Sequence, residues 1–106
     1  MKKKRILVVD DEVDFLEILK KRLIVNNYDV VTASSGEDAL NKLKKENPDA
    51  VLLDIMLPGM DGLGVLKKIR ENNDKLPIFI LTAFSNEERF KLANKFNATG
   101  FIMKTN

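Results

Sequence analysis

The feature that most constrains the fold is a series of short apolar runs alternating with stretches of helical spacing. Residues 6–9 (ILVV), 51–53 (VLL) and 78–81 (IFIL) are wholly apolar, which is typical of strands buried on both faces of a parallel sheet. The more polar run 28–33 (YDVVTA) predicts an edge strand. Residues 101–103 (FIM) predict a last short strand.

Apolar residues at helical spacing fill each gap between these runs. Helices are predicted from Glu12 to Asn26, from Ser35 to Glu46, from Leu63 to about Asn72, and from Ser85 to Phe96. Ser35 and Ser85 have the sequence context of N-caps. Strands alternating with helices predict an α/β, doubly wound three-layer sandwich. With 106 residues the chain fits a single domain over residues 1–106.

Chemically active residues follow the predicted strands. They are Asp10, Asp11, Asp54, Thr82 and Lys104. Ligands of doubly wound sheets bind beyond the carboxyl ends of the strands, so we expect these side chains to converge there. Neighbouring carboxylates repel one another unless one protonates or a cation lies among them. Mg²⁺, which prefers oxygen ligands, is the natural cation, with Asp10 and Asp11 holding it and Asp54 sharing it.

The same residues suit phosphoryl transfer. A carboxylate such as Asp54 can attack phosphorus, with Lys104 as a fixed cation and Thr82 as a hydroxyl donor. Taken singly, Asp54 could be a strand-end turn residue and Lys104 a solvated lysine. Glu12 and Asp14 are explained as helix N-terminal charges.

Composition limits the alternatives. The chain has no cysteine and no histidine, which excludes thiolate and imidazole chemistry. The net charge of +2 is too small to indicate direct nucleic-acid binding. No apolar run approaches the roughly 20 residues of a membrane helix, so we expect a cytoplasmic protein with no membrane partner.

Four segments in this order resemble the receiver (CheY-like) domain of two-component response regulators. They are ILVVDDE (6–12), VLLDIMLPGMDG (51–62), PIFILTA (77–83) and GFIMK (100–104). The resemblance implies a flavodoxin-like, five-stranded parallel sheet of order 2-1-3-4-5. It also implies a phospho-accepting signalling domain rather than an enzyme.

The resemblance assigns site residues. It implies that Asp54 is the phosphorylated residue, that Mg²⁺ is bound by Asp10, Asp11, Asp54 and the backbone carbonyl of Met56, that Thr82 and Lys104 contact the phosphoryl group, and that Thr82 and Phe101 form the switch. The implied phosphoryl donor is a histidine kinase or a phosphotransfer protein. The implied outputs are a downstream domain or a homodimer. Apolar residues at Met56 and Phe84 suggest slow self-dephosphorylation.

The chain departs from the family pattern at its end. Thr105 follows Lys104 where the family has proline, and a cis bond there would cost roughly 2.5–4 kcal/mol, so we expect a trans bond. The family's fifth helix is missing, as if the domain were truncated. Apolar side chains of the first, third and fifth strands should then form an exposed patch that lowers stability or promotes self-association.

Two other functions remain open. One is an aspartyl-phosphate phosphohydrolase, which needs a second aspartate two residues after the nucleophile; Met56 stands there instead. The other is a degenerate receiver that acts as a constitutive interaction module.

Overall fold

A computed structural model of the chain describes residues 2–83 and 87–104. The strands are β1 (Arg5–Val9), β2 (Asp29–Ala33), β3 (Ala50–Asp54), β4 (Ile78–Thr82) and β5 (Gly100–Met103). The helices are α1 (Val13–Val25), α2 (Gly36–Glu46), α3 (Gly62–Asn72) and α4 (Glu87–Lys95). The predicted alternation of strands and helices is therefore confirmed. Phe84, Ser85 and Thr105, on which three predictions fall, lie outside the described residues.

All neighbouring strands are parallel, and their order is β2-β1-β3-β4-β5, as predicted. The strand over residues 28–33 is indeed an edge. Val9 pairs with Leu53, and Asp54 pairs with Leu81. This register places the carboxyl ends of β1, β3 and β4, with Asp10, Asp54 and Thr82, side by side at one edge of the sheet.

Local signals fix two helix starts. The Ser35 hydroxyl accepts a hydrogen bond from the Asp38 N–H at 3.1 Å and caps α2. Asp61 caps α3, because its Oδ1 accepts from the Leu63 N–H at 3.0 Å. The Oδ2 of Asp61 pairs with Arg89 at 2.8 Å, which ties the start of α3 to α4.

The sheet has a core on each face. The larger core contains side chains from α2, α3 and α4, including Ala39, Leu66 and Ala93. The smaller core lies under α1 and is built around Leu16 and Val8. Helices therefore cover both faces, which makes the predicted three-layer arrangement.

On the α1 side, α1 is the one described helix that packs on the sheet, and an apolar groove of about 580 Å³ opens beside it. The groove is lined by Lys4, Ile6, Leu23, Tyr28, Asp49, Ala50, Leu52, Pro77, Phe79 and Ile102. Ile102 on β5 is 41% exposed, whereas Ile6 on β1 is buried. The expected apolar patch is therefore found in part: β3 and β5 contribute Leu52 and Ile102, β4 adds Phe79, and Ile6 of β1 lines the groove but is buried.

Among the described helices, none combines the length and the hydropathy of a membrane span.

Candidate functional site

The carboxyl edge of the sheet brings four predicted site residues together. Asp10, Asp54 and Thr82 are buried, with 0%, 5% and 7% of their surface exposed. Lys104 immediately follows β5, and its backbone N–H donates to the Thr82 carbonyl at 2.8 Å. Burial of polar side chains at this edge indicates a site rather than a solvated surface.

The Lys104 ammonium lies at the centre of the site. Its Nζ is 2.8 Å from Asp10 Oδ2, 2.7 Å from Glu12 Oε1 and 3.6 Å from Asp54 Oδ2. It also lies 4.5 Å from the centroid of the Phe15 ring. One cation is therefore shared among three carboxylates and an aromatic face.

Backbone donors orient both buried carboxylates. Asp10 Oδ1 accepts from the Glu12 N–H at 2.9 Å, and Asp54 Oδ1 accepts from the Met56 N–H at 3.0 Å. With Oδ1 fixed in each case, Oδ2 is the atom turned toward Lys104. The site thus presents two Oδ2 atoms and one ammonium to a common space.

Burial and charge shift two pKa values in this cluster. Burial raises the pKa of Asp54, and the neighbouring charges of Asp10 and Asp11 raise it further, against the lowering effects of the Met56 N–H and Lys104. Burial lowers the pKa of Lys104, but its contacts with Asp10 and Glu12 outweigh that effect and raise it overall. The lysine therefore stays charged, while Asp54 is a more basic carboxylate than usual.

The donor set fits a divalent metal ion. Oxygen atoms of Asp10, Glu12 and Asp54 lie within 4.8 Å of one another; Asp10 and Asp54 are the two buried acids of this group, whereas Glu12 is exposed and paired with Lys104. Asp10 Oδ2 is fully buried and accepts no hydrogen bond of standard geometry from the described residues, although the Lys104 ammonium is close. Buried carboxylate oxygens without full hydrogen bonding are suited to a hard cation.

Three predicted site residues are not among the Lys104 contacts described above. Asp11 is exposed and is not among the three clustered acids. The Met56 side chain is 51% exposed. Phe101 is half-buried and packs edge-on against Phe90, with ring centroids 4.6 Å apart. The roles of Asp11, Met56 and Phe101 remain predictions.

Two residues in contact with Lys104 were missed by the sequence reasoning. The sequence explains Glu12 as a helix N-terminal charge, and Phe15 falls at helical spacing within the helix predicted from Glu12 to Asn26. The third acid of the run 10–12 was a usable signal for Glu12, since it follows the same strand as Asp10. The ring of Phe15 gave no such signal, because its place in a helical repeat predicts only packing.

Known proteins are similar to this chain in sequence and in fold. The family model for the response regulator receiver domain matches residues 6–106. A probable transcriptional regulator ycf27 of Guillardia theta is 50% identical over 96% of this chain and 40% of its own length. The alkaline phosphatase synthesis transcriptional regulatory protein PhoP of Bacillus subtilis is 43% identical over 95% of this chain and 42% of its own length.

Solved structures give the same result. The chemotaxis protein CheY4 of Vibrio cholerae superposes with a TM-score of 0.94 at 28% identity, over 99% of this chain and 89% of that one. The BeF3-activated N-terminal receiver domain of Klebsiella pneumoniae RstA superposes with a TM-score of 0.91 at 32% identity, over 97% and 87%.

Fold and site together define a flavodoxin-like α/β signalling domain with an acidic site at the carboxyl edge of its sheet. The chain belongs to the response regulator receiver domain family of two-component signal transduction. It spans about two fifths of the length of the curated relatives it matches.

Proposed function

We propose that Asp54 accepts a phosphoryl group from a phosphohistidine of a histidine kinase or phosphotransfer protein. An Asp54 oxygen forms the new O–P bond while the P–N bond breaks, and the electron pair leaves with the imidazole, which takes up a proton. The observation that carries this proposal is the convergence of Asp54 Oδ2, Asp10 Oδ2 and the Lys104 ammonium at the sheet edge.

The chain's own groups would position and neutralise the transferred group. Lys104 lies 3.6 Å from Asp54 Oδ2, within reach of an oxygen on a phosphoryl group bonded there. Thr82 is buried at the end of the neighbouring strand and would supply a hydroxyl. In phosphoryl transfer such positioning and charge neutralisation supply most of the catalysis.

A bound Mg²⁺ would supply positive charge to offset the phosphoryl oxygens. We propose that Asp10, Asp11, Asp54 and the Met56 carbonyl hold it. The clustered oxygens of Asp10 and Asp54 support this assignment, and the exposure of Asp11 leaves its carboxylate accessible to the same edge.

Phosphorylation would add about −1.5 to −2 charges at this edge. We propose that Thr82 and Phe101 respond and shift the population toward a signalling form. Phe101 is paired with Ile80 of β4, two residues before Thr82, and packs on Phe90 of α4. A movement of Thr82 would thus reach the surface formed by α4 and β5.

The test is incubation with Mg²⁺ and acetyl phosphate followed by intact-mass measurement. We expect a single phosphoryl adduct in the wild type and in Asp74→Asn, a control in an exposed loop. We expect no adduct in Asp54→Asn. An adduct that persists in Asp54→Asn would overturn the assignment.

We propose that the domain is not itself an enzyme acting on external substrates. A phosphohydrolase would need an acid two residues after Asp54, and the exposed Met56 occupies that position. Release of phosphate from many small esters would support the hydrolase. A wild type without any adduct would support the degenerate receiver.

Partners and location follow from the same proposal. We propose a cytoplasmic protein whose domain receives phosphate from a kinase and acts through an output domain or a homodimer, without itself binding nucleic acid or membrane. The relatives are named transcriptional regulators, and this chain covers only 40% and 42% of two of them. Any DNA binding in a longer protein would then belong to the remainder.

We further propose that a helix outside residues 1–106 completes the domain by covering the groove beside α1. Its walls include Leu52, Phe79 and Ile102, which a single amphipathic helix would bury. The matched CheY4 chain also extends beyond the part that this chain covers.

A further inference from the structure

We infer that Glu12 and Phe15 are positioning residues that hold the Lys104 ammonium at the phosphoryl-transfer site. This inference rests on the proposed function. Both residues stand at the start of α1, whereas Lys104 follows β5, so the contacts join the first helix to the end of the last strand.

The Glu12 side chain does not cap the helix that it precedes. Glu12 is the N-cap residue of α1, but its side chain makes no capping hydrogen bond. Its Oε1 instead accepts from Lys104 Nζ at 2.7 Å, the shortest of the three carboxylate contacts of that ammonium. The acid in the first turn of α1 is Asp14, which also interacts favourably with the helix dipole.

The Phe15 ring also contacts the Lys104 ammonium. Its ring centroid lies 4.5 Å from Lys104 Nζ, within the range of a cation–π contact. The ring is half-buried and packs against the smaller core, so its position is set by the fold. The ammonium is thus bounded by Asp10, Glu12 and an aromatic face, with Asp54 at 3.6 Å on the remaining side.

This arrangement matters because a lysine is a point charge on a flexible stem. The Lys104 backbone is fixed by its hydrogen bond to the Thr82 carbonyl, but that bond does not fix the ammonium. Glu12 and Phe15 limit where the ammonium can lie, so that less ordering is needed when charge develops on the phosphoryl oxygens. Their loss should slow transfer through Lys104 and leave metal binding in place.

The test is a double-mutant cycle on the phosphorylation rate. Acetyl phosphate and Mg²⁺ are supplied, an Asp54 oxygen forms the O–P bond, and acetate leaves with the electron pair. We expect Glu12→Gln to lower the limiting rate about two- to fivefold, the size expected for one partly exposed ion pair. In a Lys104→Gln background the same change should have no further effect.

Three further variants separate positioning from other roles. Phe15→Leu should slow transfer as well, and Phe15→Tyr, which keeps the ring, should restore the rate. Asp14→Asn removes a nearby charge that does not contact Lys104, and it should leave the rate unchanged. The half-saturating Mg²⁺ concentration should be the same in Glu12→Gln and the wild type.

Two outcomes would overturn the inference while the proposed function stands. One is an equal effect of Glu12→Gln with and without Lys104. The other is a raised half-saturating Mg²⁺ concentration at an unchanged limiting rate, which would make Glu12 a metal ligand. If the wild type accepts no phosphoryl group, or if Lys104→Gln is too slow to time, the contact is tested by urea unfolding of the wild type, Glu12→Gln, Lys104→Gln and the double variant. Additive effects of the two substitutions on the free energy of unfolding would refute the contact.

Discussion

At the scale of single residues, Asp10 and Lys104 form the most deeply buried ion pair of the described chain. Asp10 is fully buried, and the Lys104 side chain is 9% exposed. The other paired side chains, apart from Asp54, are at least 31% exposed. Charges removed from water in this way depend on their partners, since a buried charge left alone is costly.

Replacing Lys104 by Met should therefore destabilise the protein in the absence of metal. We expect a loss of about 3 kcal/mol in the free energy of unfolding, because Asp10 keeps its buried charge without a counter-charge. Millimolar Mg²⁺ should restore part of this loss. Urea unfolding with EDTA or Mg²⁺ measures both effects.

Lys91→Met is the matched control, because Lys91 and its partner Glu87 are 78% and 88% exposed. It should change stability by less than about 0.5 kcal/mol in either buffer. Equal effects at the two lysines would contradict the prediction.

Because the pKa of Asp54 is raised in the folded state, its ionisation lowers the free energy of unfolding as pH rises. A carboxylate whose pKa is lowered on folding has the opposite effect. Between its ordinary value of 3.8 and the raised folded value, the folded state binds more protons than the unfolded state. Asp54 therefore costs stability as pH rises through this window. Asp54→Asn keeps the shape without the charge, so in EDTA its stability should exceed that of the wild type above the window.

Thermal unfolding of both proteins from about pH 3.5 to pH 8 checks this. The advantage of Asp54→Asn should grow with pH and then level off. A gap that shrinks as pH rises would show that Lys104 and the Met56 N–H outweigh burial, and the predicted shift would be wrong.

At the scale of elements, the sequence predicts the sheet better than it predicts the contacts of the site. Strands are recognised because runs such as residues 6–9 and 78–81 are apolar without interruption, and Ser35 marks a helix start by its own chemistry. Strand ends then locate Asp10, Asp54 and Thr82, since a parallel sheet brings its carboxyl ends together.

The features that the sequence does not predict are contacts between residues distant in the chain and the exposure of particular side chains. Glu12 and Lys104 are 92 positions apart, and their contact requires both the strand order and the direction of a long side chain. Neither is encoded in local periodicity. The half-exposure of Leu52, which sits in an apolar run that predicts full burial, likewise depends on what covers the α1 side of the sheet.

The backbone of Asp54 and Ile55 packs closely against Gly62, the first residue of α3. A Cβ at Gly62 would collide with the carbonyl oxygen of Asp54 and lie 2.7 Å from the Ile55 Cα, both backbone atoms that cannot yield easily. Gly62→Ala should cost about 2–3 kcal/mol of stability and displace the backbone of Asp54.

Gly64→Ala, two residues later, is the matched control. Its Cβ would meet only the Met60 side chain at 3.6 Å, an ordinary contact. Replacing a helical glycine by alanine raises the free energy of unfolding by about 0.5–1 kcal/mol. Urea unfolding should thus move in opposite directions for the two variants, and a tolerated Gly62→Ala would refute the close approach.

At the scale of the whole molecule, the two faces of the sheet differ in how well they are covered. Three helices contribute to the larger core, whereas α1 packs on the other face next to the groove. Exposed apolar surface of this kind favours association with another apolar surface. When the 106-residue chain is the only protein in solution, the groove of a second copy can supply that apolar surface.

We therefore expect the isolated chain to associate weakly through this groove. Ile102 is 41% exposed on its wall, and Ile102→Thr should shift sedimentation velocity profiles toward the monomer at high protein concentration. Val25→Thr is the control, because Val25 is 84% exposed on α1 and does not line the groove. It removes a comparable apolar side chain and should leave the profile unchanged. A wild type that stays monomeric across the concentration range, or equal effects of the two substitutions, would show that the groove does not drive association.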